Sequence, residues 1–319
     1  MAETVIRIKN LVVEYLSLAG PLRAVDNVSL DVYRREWLGI VGESGSGKST
    51  LAYTMIGLLP PPGRVARGSI VFNGKDLTRM SKEELRMLRG KEISMVFQDP
   101  MTSLDPLRRV GDQIAEVAVE HGVADWKEAR EMAAEALESV GIPREAVYRY
   151  PHELSGGQRQ RVMIAIAMLL KPKLLIADEP TTALDVIVQE SIMDLFGELK
   201  KMGTSIVLIT HDIALAAERS DRIAVMYAAK LAELGPVDKI INDPLHPYTR
   251  GLIESTPDVW SDKPVKSIPG YPPDLRRPPR GCRFHPRCPH ATDKCKHKEP
   301  PITKVGDRLV ACWLYAQEG

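Results

Sequence analysis

Residues 42 to 50 read Gly-Glu-Ser-Gly-Ser-Gly-Lys-Ser-Thr, and this stretch decides the fold. The apolar run Leu38–Val41 comes directly before it, and a helical pattern begins at Leu51. This is a Gly-x4-Gly-Lys-Ser motif in the strand–loop–helix setting that a phosphate-binding loop requires. Glycines let successive backbone N–H groups turn inward around phosphate oxygens, and the helix N-terminus adds a partial positive charge. The motif therefore predicts a nucleotide site rather than a simple glycine-rich turn.

Two acidic residues end a buried strand further along the chain. The apolar run Leu174–Ala177 is followed at once by Asp178 and Glu179. Asp178 can hold the shell of Mg²⁺ together with the Ser49 hydroxyl, while Lys48 binds the outer phosphates. Glu179 is placed to accept a proton from an attacking water. Such a strand end also fits plain solvent exposure when it occurs alone, but with a phosphate loop it predicts nucleotide hydrolysis.

The pattern of apolar residues indicates an α/β fold. The unbroken run Leu174–Ala177 is typical of a strand buried on both faces of a parallel sheet. Between Asp112 and Val140 the period changes, and the apolar residues fit one face of a helix. Those residues are Ala129, Met132, Ala133, Ala136, Leu137 and Val140. The predicted strands are Val5–Val13, Val28–Val32, Trp37–Val41, Ser69–Phe72, Glu92–Phe97, Leu174–Ala177, Ser205–Thr210 and Ile223–Met226. We expect a helical segment at about 105–170 that interrupts an α/β core.

Charge and hydropathy argue against two classes of protein. The formal net charge of +1 over 319 residues disfavours a generic nucleic-acid binder that works by neutralising phosphates. The longest apolar run, Val162–Leu170, has nine residues, whereas a bilayer span needs about 20. The first ten residues, MAETVIRIKN, carry no export signal pattern. We therefore expect a protein of the reducing cytoplasm whose membrane role, if it has one, is peripheral.

A second element of the phosphate-binding kind lies at Leu154–Arg161, which reads Leu-Ser-Gly-Gly-Gln-Arg-Gln-Arg. Ser155 is a good N-cap for the helical pattern that follows. Exposed glycines at a helix N-terminus again favour a phosphate ligand. Because one nucleotide cannot easily occupy two such ends of one chain, we expect this end to serve the nucleotide of a partner chain.

With this element the chain resembles the ABC-family ATPases over residues 1 to about 255. In that family the Leu-Ser-Gly-Gly-Gln signature follows the phosphate loop and comes just before the Asp-Glu strand. Here Lys48 precedes Ser155 by 107 residues, and Ser155 precedes Asp178 by 23. The resemblance implies an ABC-type P-loop ATPase core with a helical subdomain. It also implies two cassettes that close on two MgATP.

The resemblance also assigns roles to single residues. Gln98 matches the glutamine that touches Mg²⁺ and the water and senses the membrane subunits, and His211 matches the histidine at the terminal phosphate. Asp185, within Ala183-Leu184-Asp185, matches the loop that bridges the two subunits. Tyr15 matches the aromatic residue that stacks on adenine, although the loop Leu16–Leu22 is longer than usual and Tyr15 could instead pack on the core. The predicted catalytic residues are Glu179, His211 and Gln98, and the predicted Mg²⁺ ligands are Ser49, Gln98 and Asp178. The predicted nucleotide contacts are Tyr15, Gly42, Ser44, Gly45, Ser46, Gly47, Lys48, Ser49, Thr50, Gln98, Asp178, Ser155, Gly156, Gly157, Gln158 and Asp185.

Two kinds of ABC protein fit such a cassette: a transporter subunit and a soluble ATPase acting on DNA or ribosomes. DNA-repair relatives need a long coiled coil between the phosphate loop and the signature, and the 107 residues between Lys48 and Ser155 leave no room for one. Translation-type relatives carry two cassettes in one chain, whereas this sequence contains one. The transporter subunit is therefore favoured. The stretches Phe97–Pro106 and His246–Thr249 resemble the dipeptide/oligopeptide importers, whose subfamily also includes importers of nickel and of oligosaccharides. The resemblance implies a homologous second ATPase (a heterodimer, or a homodimer in isolation), two permeases and an external binding protein. It places the chain on the cytoplasmic face of the membrane.

The last part of the chain differs from the rest. From Asp262 to Gly319 it holds 12 Lys and Arg against 6 Asp and Glu, 10 of the 24 prolines and all four cysteines. Cys282, Cys288, Cys295 and Cys312 have the spacing Cys-x5-Cys-x6-Cys-x16-Cys. Because disulfides are disfavoured in a reducing compartment, a four-thiolate site for zinc or an iron–sulfur group remains. The importer ATPases that the chain resembles carry a [4Fe–4S] cluster on a matching tail. We predict an ATPase domain at 1–255 and a small Cys-rich, loop-rich C-terminal extension at 256–319.

Overall fold

The structure is a computed structural model that describes residues 3–17, 20–98, 103–181, 185–256 and 266–316. It divides into two compact units. Unit one comprises Met1–Val5, Tyr33–Arg35 and Arg79–Val207, and unit two comprises Ile6–Val32, Glu36–Thr78 and Leu208–Gly319.

Strands and helices alternate along much of the described chain. The strands are β1 (Thr4–Ser17), β2 (Gly20–Tyr33), β3 (Trp37–Val41), β4 (Gly63–Phe72), β5 (Lys75–Asp76), β6 (Ile93–Val96), β7 (Leu174–Asp178), β8 (Ser205–Thr210), β9 (Arg222–Tyr227), β10 (Lys230–Pro236), β11 (Thr303–Val305) and β12 (Arg308–Val310). The α-helices are α1 (Lys48–Met55), α2 (Lys82–Leu88), α3 (Val110–Glu120), α4 (Trp126–Ser139), α5 (Gly156–Met168), α6 (Val186–Lys201), α7 (Ile213–Arg219), α8 (Val237–Asn242), α9 (Pro247–Glu254) and α10 (Asp293–His297).

Unit two contains two groups of paired strands. An antiparallel sheet has the order β2-β1-β4-β5, and β11-β12-β10-β9-β3 are neighbours in a second sheet. In the second sheet β3 is parallel to β9, with Val41 opposite Val225. The core beside these strands includes Val41, Val225, Tyr248 and Phe284, all buried. Residues of the C-terminal region therefore pack against the strand that leads into the phosphate loop.

Unit one consists of a short parallel strand pair and a helical region. Strands β6 and β7 pair in parallel, with Val96 opposite Ala177. Helix α4 begins where the Asp125 carboxylate accepts hydrogen bonds from the backbone N–H groups of Lys127 and Glu128. Its apolar face is buried, and helices α3 and α5 pack against α4.

The secondary structure confirms the expected α/β character. The predicted runs correspond to β1–β4 and β6–β9, and the predicted helical segment at 105–170 contains α3, α4 and α5. The cysteine-rich region was expected to be poor in strands, yet it contains the hairpin of β11 and β12, which turns at Gly306 with a φ of 63°. Strand β10 was also not predicted. Among the described residues, no helix has both the length and the apolar content to cross a bilayer.

Candidate functional site

The loop between β3 and α1 is held in a shape that needs glycine. Gly42 has a φ of 152° and Gly47 a φ of 100°, in the region that L side chains rarely adopt. A Cβ on Gly42 would lie 2.1 Å from the carbonyl oxygen of Met226, and one on Gly47 would lie 2.1 Å from that of Ala24. The backbone of the loop thus runs directly against its neighbours, as a cradle for phosphates requires.

The loop lysine is buried and oriented by the loop itself. Lys48 is 5% exposed, and its Nζ donates to the carbonyl oxygens of Gly42 at 2.7 Å and Glu43 at 3.1 Å. The Ser46 N–H donates to the same Glu43 oxygen at 3.2 Å. Ser49 and Thr50 follow in the first turn of α1. The ammonium group is thereby fixed inside the loop, where it can meet phosphate oxygens.

Tyr15 lies beside the end of the phosphate loop. Its hydroxyl is 3.5 Å from Oγ1 of Thr50. On β1 it pairs with Gly63 of β4, and a Cβ on Gly63 would meet the Tyr15 ring at 2.9 Å. The ring is therefore next to the loop, as a residue that contacts a bound nucleotide must be.

In unit one, Asp178 is the last residue of strand β7 and Glu179 follows it directly. Asp178 is 1% exposed. Glu179 has a φ of 45°, a strained conformation for a residue other than glycine, and such strain clusters at functional sites. Gln98 Nε2 donates to Oε2 of Glu179 at 3.0 Å. The structure thus joins two predicted catalytic residues that are 81 positions apart in sequence.

The Ser155 segment forms the start of helix α5. Ser155 Oγ accepts from the Gln158 N–H at 3.2 Å, and Gln158 Oε1 accepts from the Ser155 N–H at 3.0 Å. This reciprocal capping box confirms the predicted N-cap. Ser155 and Gly156 are exposed and Gly157 is half-buried, so this helix start is accessible to a ligand from outside the chain. A Cβ on Gly157 would lie 3.3 Å from Val188.

The remaining predicted site residues sit at helix starts. Asp185 Oδ1 accepts from the Val188 N–H at 2.9 Å and caps α6, whereas Ala183 and Leu184 lie outside the described residues. His211 is exposed directly after β8, and Asp212 caps α7. Their roles toward a nucleotide stay predictions.

Comparison with known proteins places this site in a family. The family model described as "ABC transporter" matches residues 25–182, and the one described as "Oligopeptide/dipeptide transporter, C-terminal region" matches residues 232–295. The oligopeptide transport ATP-binding protein OppD of Bacillus subtilis is 48% identical over 316 residues, which cover 97% of this chain and 88% of that protein. The dipeptide transport ATP-binding protein DppD of Escherichia coli is 47% identical and covers 95% of this chain and 94% of its own.

The chain is an ABC transporter ATP-binding protein. A solved structure agrees: a dimeric post-hydrolysis state of the ATP-binding cassette MJ0796 bound to ADP and Pi has a TM-score of 0.67 and 30% identity. The structural match covers 73% of this chain and 98% of that cassette. Its ABC cassette fold confirms the predicted ABC-type ATPase core.

In this ABC protein the four cysteines surround one cavity of unit two. Cys282, Cys288, Cys295 and Cys312 all line a cavity of about 210 Å³, and none of them is in a disulfide. Burial raises the pKa of Cys282 to about 11, and it also raises the pKa values of Cys288 and Cys312. Within the described ranges, no three His, Cys, Asp or Glu side chains are arranged to hold a single metal ion.

Sequence reasoning missed one set of residues that touch the phosphate loop. The Arg287 guanidinium donates to both carboxylate oxygens of Glu43, from Nη1 at 2.8 Å and Nη2 at 3.0 Å. The Tyr248 hydroxyl accepts from the Glu43 N–H at 2.9 Å. Arg287 and Glu43 are 244 positions apart and form a partly buried ion pair. The spacing of the sequence motifs carries no signal for this pair.

Proposed function

We propose that this chain powers a membrane importer of di- or oligopeptides by binding and hydrolysing ATP. The observation that carries the proposal is the hydrogen bond between Gln98 and Glu179 directly after the buried Asp178 strand. It occurs in a chain that also holds a complete phosphate loop. The peptide cargo is supported by relatives named as oligopeptide and dipeptide transport proteins over nearly the whole chain.

The proposed nucleotide is MgATP. The glycine cradle around Lys48 suits phosphates, and Ser49 and Asp178 supply the hydroxyl and carboxylate oxygens that Mg²⁺ prefers. When bound, Mg²⁺ neutralises charge that develops on the phosphates. Tyr15 stacks on the adenine, a contact worth about 1–3 kcal/mol for base stacking in general.

Hydrolysis rests on residues that position one water. Glu179 accepts the proton of the water, and Gln98 holds the Glu179 carboxylate and orients the water. His211 contacts the terminal phosphate. Ser155, Gly156, Gly157 and Gln158 act on the nucleotide of a partner ATPase, and Asp185 serves the contact between the two subunits, so one chain alone holds incomplete sites.

Because each chain holds incomplete sites, the proposed function requires partner proteins. A homologous ATPase completes both sites, two permeases conduct the solute, and an external binding protein delivers it. The cassette lies on the cytoplasmic face of the membrane, and its opening and closing switches the permeases between outward and inward access.

The cysteine cavity fits a polynuclear group better than a single ion. All four thiols reach the 210 Å³ space, whereas a zinc site needs ligands about 2.3 Å from one point. We therefore assign a [4Fe–4S] cluster to Cys282, Cys288, Cys295 and Cys312. Its role is structural, because the free energy of binding such a group contributes to the folding of the segment that supplies its ligands.

Reconstitution tests the proposal. The chain, purified with its partner ATPase, permeases and binding protein, is placed in liposomes, and ATP-dependent uptake of a labelled dipeptide and oligopeptide is measured. Peptide uptake is expected. Uptake of nickel or an oligosaccharide instead would keep the ATPase assignment and reject the peptide cargo. ATPase activity that the permeases and binding protein do not change would favour a soluble ABC ATPase.

A further inference from the structure

Arg287 connects the cysteine-rich region to the phosphate loop. Its side chain is 5% exposed. Besides the two bonds to Glu43, its Nε donates to the Pro269 carbonyl at 2.8 Å, and its Nη1 lies 3.3 Å from the Tyr227 hydroxyl. Pro272 and Pro273 line the same small cavity as residues 43–46 of the loop. The guanidinium therefore lies between the C-terminal chain and the loop, with a partner on each side.

Glu43 is part of the frame that shapes the loop. Its carbonyl oxygen accepts from Lys48 Nζ and from the Ser46 N–H. Its N–H donates to the Tyr248 hydroxyl, and Tyr248 is fully buried against Phe284 with ring centroids 5.4 Å apart. The backbone of Glu43 thus orients Lys48, while its side chain is held by Arg287.

The carboxylate of Glu43 places a negative charge in a loop that binds negatively charged phosphates. It follows Gly42 directly in the loop whose N–H groups face the phosphates, and its side chain is only 24% exposed. A negative charge on a residue of the phosphate loop repels a bound triphosphate, and solvent screening is weaker for a half-buried group. The bidentate pair with Arg287 cancels that charge in a geometry that suits guanidinium and carboxylate.

We propose that Arg287 is a positioning residue for the nucleotide: it neutralises Glu43 and holds the Glu43 side chain away from the phosphates. The inference rests on ATP binding at this loop and adds a determinant outside the family's loop motif. Arg287 acts through Glu43 rather than by touching the nucleotide.

A second buried arginine of the same region provides a matched control. Arg283 donates to the carboxylate of Asp26 and to the carbonyl of Ala228, and its side chain is 8% exposed. It anchors the cysteine-rich region to earlier parts of unit two, as Arg287 does, but its carboxylate partner Asp26 lies outside the phosphate loop. Replacing Arg283 therefore weakens the attachment of the cysteine-rich region without leaving an unpaired carboxylate on the phosphate loop.

The test measures ATP and ADP affinity of the full chain by calorimetry for Arg287→Gln, Arg283→Gln, Glu43→Gln and the double variant Glu43→Gln/Arg287→Gln. Arg287→Gln should weaken ATP binding roughly tenfold, which corresponds to about 1.4 kcal/mol. The loss should be larger for ATP than for ADP and should shrink at high salt, because it comes from charge repulsion. Adding Glu43→Gln should restore most of the affinity, since the repelling charge is gone.

Three outcomes would reject the proposal. Affinity unchanged in Arg287→Gln would show that the pair is irrelevant to the nucleotide. An equal loss in Arg283→Gln, or a loss in Arg287→Gln that Glu43→Gln does not restore, would show that Arg287 only anchors the cysteine-rich region. The melting temperature of each variant identifies those that fail to fold. If Arg287→Gln does not fold, the affinity of the double variant Glu43→Gln/Arg287→Gln, which also lacks Arg287, decides the test. A wild-type chain that binds no ATP would instead reject the proposed function.

Discussion

Nε2 of Gln98 lies 3.0 Å from Oε2 of Glu179 and donates a hydrogen bond to it. Glu179 itself is strained, with a φ of 45°, and it follows the buried Asp178 directly. The pair joins the end of β6 to the end of β7, two parallel neighbours whose carboxyl ends meet at one edge. The residue proposed to sense the permeases and the residue proposed to act as base are thus joined by a direct hydrogen bond.

Glu179→Gln should abolish hydrolysis while ATP still binds. The amide cannot accept the proton of the water, so the rate should fall by about 10²–10⁴-fold, the usual contribution of a general base. Phosphate release by the assembled complex measures the rate, and gel filtration with ATP should reveal a trapped closed dimer. Glu198→Gln, at an exposed position of α6, is the control. A near wild-type rate in Glu179→Gln would show that another group is the base.

Gly157→Asp should damage the partner's site rather than the chain's own. Gly157 lies at the start of α5, the helix end that we propose acts on the nucleotide of the second subunit. ATP affinity of the isolated chain should stay nearly constant, while turnover of the assembled complex falls sharply. Gly197→Asp, in α6 with open space around a Cβ, should change neither. Hydrolysis per chain that is unaffected by dilution to monomer would contradict the two-chain site.

Ser155→Ala should reduce both stability and turnover. The variant loses the hydroxyl that accepts from the Gln158 N–H, and removing such a cap costs about 1 kcal/mol. Ser81 forms the same capping box with Glu84 at the start of α2, so Ser81→Ala is the matched control for the loss of stability. Denaturant unfolding and ATPase assays separate the two effects. Equal turnover in the two variants would mean that Ser155 is only a cap.

The cysteine cavity makes a prediction that chemical analysis can check. Protein purified without oxygen should be brown and contain about four irons and four sulfides per chain. Each of Cys282→Ser, Cys288→Ser, Cys295→Ser and Cys312→Ser should remove the colour and lower the melting temperature. Nucleotide binding should largely survive where Arg287 still holds Glu43, because none of the phosphate-loop residues lines the cavity. One colourless zinc per chain would replace the cluster by a different structural metal, and no metal in fresh reduced protein would reject both.

The sequence alone determined the α/β class, the phosphate loop and the order of the motifs. These are local properties: Gly42 to Thr50 must be glycine-rich because of the backbone shape, and Leu174–Ala177 must be apolar because both faces of β7 are buried. The N-cap at Ser155 was equally readable, since the capping box needs only residues three positions apart.

Only the tertiary structure decided which distant side chains meet. Gln98 and Glu179 are 81 positions apart, and Glu43 and Arg287 are 244 apart, and no periodicity or spacing encodes either pair. The same holds for the shared cavity of the four cysteines, whose spacing fits several kinds of site until the chain has folded. Local patterns fix elements because their hydrogen bonds and burial are short-range in sequence. Pairs across the fold depend on how those elements pack.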